Sequence, residues 1–177
     1  MTHVLILAAL MAVSGQNFDF SSLDKLAKKA KESNVITLEG DQLKTASQFL
    51  SIGGDEDAKK VQSLVDKLKG VYVRNYEFSE EGQYKDSDLN EVRDQLHGQG
   101  WSRIIESREA KEHDEIYIRS GDQQMRGIAI VSADPKEVTV VVIQGPIDLQ
   151  NLGELSGTLG IPNLQQKRHG PQAPAKK

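Results

Sequence analysis

Two histidines lie in the body of the chain, His97 and His113, and each could in principle hold a metal or shuttle a proton. Either task needs a partner at a fixed offset, such as a second ligand at i+4 on a helix or an HExxH setting. Neither residue has one. His97 precedes Gly98 at the end of a predicted helix, where the helix dipole favours a cation. His113 falls in AKEHDE, which reads as a solvated hairpin loop. Asp86-Ser87-Asp88-Leu89-Asn90 opens like a calcium loop, but Glu91 stands where the turn glycine belongs and His97 where the bidentate glutamate belongs. A helix start explains those residues better.

Other chemistries fail in similar ways. Gly53-Gly54 lacks the Lys-Ser/Thr of a P-loop, and Gly153, Gly157 and Gly160 match neither phosphate-binding pattern. Ser156 has no strand-to-helix elbow before it. Acidic residues number 26, and no pair stands in an apolar stretch that would raise a carboxyl pKa. The sequence therefore offers no catalytic residue, no cofactor site and no metal site, and an enzyme is disfavoured. The enzymatic alternative is an envelope hydrolase using paired carboxylates, with Glu77 or Glu106 near His97. A small-ligand carrier using a concave sheet face is the other alternative.

Candidates for partner binding are Tyr72, Arg74, Tyr76, Trp101, Arg103 and Tyr117. They are strand aromatics beside arginines, the mixture that interface centres favour. The competing reading makes the aromatics core and the arginines their solvent-side neighbours.

Charge and length narrow the classes further. The 177 residues suit one domain, and the net charge is 22 − 26 = −4. Residues 165–177 hold Lys167, Arg168, Lys176 and Lys177 and no acid, which leaves the rest at 18 − 26 = −8. An acidic body repels polyphosphate, so nucleic acid is not an expected partner. The chain has no cysteine, so disulfides, thiolate metal sites and a lipoprotein anchor are all excluded.

Val4 to Val13 is ten apolar residues followed by Ser14 and Gly15. That is short of the roughly 20 residues needed to span a bilayer and suits a secretory signal peptide over residues 1–16, although His3 is its only basic group. The expected product is periplasmic or secreted, with no transmembrane anchor after cleavage. Its partner would be an unknown envelope protein or small ligand.

Residues 17–161 read as a single domain and 162–177 as a disordered basic tail. Helices are predicted over Phe18–Ser33, Asp41–Ile52, Asp55–Lys69 and Asp88–His97, the last with Asp88 and Glu91 spaced as a capping box. Strands are predicted at Val35–Leu38 and Val71–Phe78, then at Trp101–Arg108, Glu115–Arg119, Met125–Val131 and Val138–Ile143 with hairpin spacing. The six apolar or β-branched residues Val138 to Ile143 of the last strand place it centrally in the sheet. Leu149, Leu152, Leu155 and Leu159 then form one helical stripe. This order implies an α+β fold, a mainly antiparallel sheet of about five or six strands with helices packed on one face.

The apolar strand, Gly145 and Ile147-Asp148-Leu149, within VVVIQGPIDLQNLGEL, resemble the bacterial domain of unknown function 4252 family. The likeness runs from about Phe18 to Leu159. It implies a small exported protein, a lipoprotein in many members, with no assigned activity and no catalytic residues to carry over.

Overall fold

The computed structural model describes residues 18–51, 56–98, 100–121 and 124–147. The expected leader, the leucine-striped helix after Ile147 and the basic tail lie outside those residues.

Over the described residues the predicted order of elements holds. Helix α1 (Ser21–Asp24) and a 3-10 turn (Leu26–Lys28) lead into strand β1 (Glu32–Glu39). Helices α2 (Gly40–Ser51) and α3 (Glu56–Val65) follow, then β2 (Gly70–Glu77). A second 3-10 turn (Asp86–Leu89) runs into α4 (Asn90–His97). The meander β3 (Trp101–Glu109), β4 (Glu112–Ser120), β5 (Met125–Asp134) and β6 (Glu137–Ile147) completes a six-stranded sheet in the order β1-β2-β6-β5-β4-β3. Every strand pair is antiparallel.

β6 is internal, between β2 and β5, and Val138 to Ile143 is buried on both faces. Alternation sends Val138, Val140 and Val142 to the face carrying Tyr72 and Tyr76, and Val141 and Ile143 to the face carrying Val71 and Val73.

Helices lie on both faces, which corrects the one-face expectation. Leu23 and Leu26 of the N-terminal turns and Leu89, Val92 and Leu96 around α4 pack with the Tyr72 face. Leu43 of α2, Leu64 and Val65 of α3, and Leu68 pack with the Val71 face. The reason is β6 itself: a central strand apolar on both sides needs cover on both.

The expected helix over Phe18–Ser33 is also shorter. The Lys31 amide donates to the Glu77 carbonyl (2.7 Å) and Glu32 pairs with Glu77, so the ladder with β2 takes residues that weak helix propensity would have kept. The box at α4 is shifted too. The Asp88 carboxylate accepts from the Lys85 amide at 2.9 Å, so Asp88 supplies the acid of the box and is not its cap.

Candidate functional site

α4 brings a charge into the core. Its buried stripe is Leu89, Val92, Arg93 and Leu96, at helical spacing, so Arg93 occupies a position where an apolar residue is the rule. Opposite it, β4 alternates Glu115 and Tyr117 toward this face and Ile116 toward the other. Glu115 is wholly inaccessible to solvent. A buried carboxylate is tolerated only when paired and hydrogen-bonded.

The pairing is dense. Arg93 donates from Nε to Glu115 Oε1 (2.7 Å), from Nη2 to Asp86 Oδ1 (2.7 Å) and from Nη1 to Asp86 Oδ2 (2.9 Å). The other Glu115 oxygen accepts from the Tyr117 hydroxyl and from Arg103 Nη1 (3.5 Å). His113 sits between, with Nδ1 3.1 Å from Arg93 Nη2 and Nε2 3.1 Å from Glu115 Oε1 and 3.3 Å from Glu106 Oε1. Nδ1 also lies 3.4 Å from Asp86 Oδ1, so the ring bridges Arg93 and three carboxylates. Glu106 in turn holds Arg103 (2.8 Å) and Arg108 (3.0 Å).

Arg93, Arg103 and Arg108 thus face Asp86, Glu106 and Glu115. Hydrogen bonding from Arg93 holds the Asp86 carboxyl below its ordinary range, and bonding from Arg108 does the same for Glu106. Burial works against the Arg93 charge, but Asp86 and Glu115 outweigh it and raise its pKa. Burial, then the hydrogen bond to Glu115, pushes the Tyr117 phenol up to about 12. The network ties the 85–89 turn, α4, β3 and β4 together. Its acid oxygens are held by cations or hydrogen-bond donors, an arrangement suited to fixing α4 on the sheet. Asp86 and His113 reach the wall of an open depression of about 370 Å3, shared with Tyr84, Arg108, Lys111 and Ala133.

Five of the six partner-binding candidates are buried. Tyr72, Tyr76, Trp101 and Tyr117 are buried on the α4 face. Arg74 is buried too, its Nε 2.8 Å from Asp24 Oδ1 and its guanidinium 4.6 Å from the centre of the Phe20 ring. Their burial leaves the reading of these aromatics as core, with Arg74 a clamp on α1. Arg103 alone of the six is exposed, its side chain 34% accessible.

The carboxylates proposed for hydrolysis have other partners. Glu77 meets Lys31 (3.4 Å), and the His97 ring lies edge-on to Tyr117. Glu106 does reach a histidine, but it is His113.

His113 was missed because the hairpin turns earlier than expected, at Ala110-Lys111, with Ala110 at φ 50°. Neither residue is the glycine, asparagine or aspartate that announces such a turn. Two signals were present: an arginine inside a leucine-valine stripe, and a glutamate two residues before a core tyrosine.

Together these features define an α+β domain with an antiparallel sheet covered on both faces and a charge network buried under its last helix-to-meander junction. The chain belongs to the family described as Domain of unknown function (DUF4252), whose model matches residues 28–155. Nothing matches among curated proteins or solved structures. Among the described residues, no helix is long and apolar enough to cross a membrane, and no cluster of three histidine or acidic side chains is arranged to hold a metal ion.

Proposed function

We propose that the chain is an exported, non-catalytic domain of the cell envelope that binds or regulates a protein partner through its β3 edge. One observation carries the choice of surface. β3 ends the sheet, and Ile104 and Ile105 on it are 54% and 37% exposed. Ile104 sits at a break in register between Arg103 and Ile105, pushed out of the ladder. An edge strand offers free amide and carbonyl groups, and apolar side chains between arginines suit an added strand. Arg103 and Arg108 flank the isoleucines, so one of the residues first singled out for binding belongs to this surface.

The absence of catalysis is supported by the network, where Glu115 is saturated by Arg93, Arg103, Tyr117 and His113. Export is supported by the apolar run Val4–Val13. A hydrolase remains the second reading because His113 and Asp86 reach the open depression. It requires a turnover that Glu106→Gln abolishes without loss of fold.

The test is co-purification from the native host's envelope with wild type and with Ile104→Asp. A protein retained by wild type and lost from the variant, at unchanged thermal midpoint, is the expected outcome. Equal retention by both proteins, or none by either, defeats the proposal.

A further inference from the structure

The N-terminal turns and the start of α4 stand side by side with an open cleft of about 280 Å3 between them. Ser22, Lys25, Leu26 and Lys29 recur at helical spacing and form one wall. Asp88 and Glu91, one turn apart, stand on the other. The first wall is cationic and the second acidic. Among the described residues, Lys25, Lys29 and Glu91 nevertheless take part in no ion pair, with each other or with anything else. Asp88 commits one carboxylate oxygen to the Lys85 amide and keeps the other.

Both walls are fixed from behind. Leu23 and Leu26 on one side and Leu89 and Val92 on the other are buried in the same cluster. Asp19 exchanges two hydrogen bonds with the Gln95 side chain, its amide donating to Oε1 (2.8 Å) and its carbonyl accepting from Nε2 (2.8 Å). Asp24 on α1 accepts from Arg74 Nε (2.8 Å) and from the Tyr76 hydroxyl (3.0 Å). The core therefore sets the width of the cleft, and it holds opposite charges apart where they would otherwise neutralise each other. The Ser22 hydroxyl is buried there without a hydrogen-bond partner among the described residues, a cost that an occupant can relieve.

An anion alone would meet Asp88 and Glu91, and a cation alone would meet the lysines. A molecule with one charge of each sign matches both walls. The volume lies just under the roughly 300–1,000 Å3 of pockets for drug-sized ligands, so the occupant is small. We propose that this cleft binds a zwitterion of amino-acid or dipeptide size, its carboxylate toward Lys25 and Lys29 and its ammonium toward Asp88 and Glu91. The site shares no residue with β3 or with the Arg93–Glu115 network, so it stands or falls separately from the partner surface.

The test titrates the isotope-labelled full chain with glycine, glutamate, lysine and alanyl-alanine, up to about 10 mM, above the millimolar range of weak ligands. At least one probe is expected to give saturable amide shifts at Ser22, Leu26 and Glu91. Removing either charge of that probe, by N-acetylation or by amidation, should weaken it about tenfold or more. Glu91→Gln and the double variant Lys25→Gln/Lys29→Gln should do the same at unchanged thermal midpoint, because all three side chains are exposed. No saturable shift with any probe would overturn the proposal. Equal binding of the capped probes, equal binding of acetate, or affinity untouched by the substitutions would overturn it as well.

Discussion

Replacing Arg93 by methionine tests whether the network is a clamp. The side chain is 10% accessible and its partner Glu115 is 0% accessible, so the substitution removes the shortest ion pair of a carboxylate that water cannot reach and leaves it Tyr117, His113 and the more distant Arg103 (3.5 Å). Losing one partner of a buried pair costs about 3–5 kcal/mol. Asp86, whose side chain is 58% accessible, is resolvated on release and adds about 0–1 kcal/mol. Against a total stability of about 5–15 kcal/mol this is a large loss. With an m value of about 2 kcal/mol per molar urea, the unfolding midpoint falls by about 1.5–3 M. Trp101 is the only tryptophan and lies over Gly127, where an added Cβ would come within 2.7 Å of its ring, so its fluorescence reports on this packing. The double variant Arg93→Met/Glu115→Leu should recover most of the loss, because an apolar pair removes the buried charge. A single variant within about 0.5 kcal/mol of wild type, a difference typical of surface substitutions, would refute the clamp.

The chain's four tyrosines offer a second test, since each hydroxyl donates to an acceptor and each phenol is harder to ionise when folded. Burial leads the causes, raising Tyr84 and Tyr117 from 10.0 to about 12 and Tyr72 and Tyr76 further. Their contribution to stability is intact below pH 10.0 and lost as pH rises through about 12, so absorbance at the tyrosinate band should rise together with unfolding. A separate titration near pH 10.0 in folded protein would contradict this. Gly145→Val should destabilise by about 2–5 kcal/mol. Gly145 has φ +130° and a Cβ there would lie 2.8 Å from Leu68 Cα, so a wild-type urea midpoint would refute that packing. N-terminal sequencing of protein from its native host should begin near Gly15, Gln16 or Asn17, whereas an intact Met1 species in the cytosol would rule out export.

Much of the fold was legible because period and length agreed. Val138 to Ile143 reads as a strand buried on both faces, and it is the interior strand β6. Leu89, Val92 and Leu96 mark the buried side of α4. Less was legible where distant pairing decides the outcome. Nothing local makes Glu32 a strand residue; β2 does so by pairing Glu77 with it. The network was the least visible feature. Arg93, His113 and Glu115 come from two elements whose facing depends on a turn at Ala110-Lys111 with no turn residue in it. The aromatics were ambiguous for a related reason: a tyrosine beside an arginine suits an interface, yet Arg74 is buried with Tyr76 around Asp24.

The central claim is that the β3 edge meets an envelope protein. A photo-crosslinking residue at position 104, in the chain expressed in its native host, tests this most directly, with exposed Thr45 on α2 as the control position. The account predicts one discrete adduct to an envelope protein from position 104 and none from position 45. No adduct from position 104, or the same adduct from both positions, would contradict it.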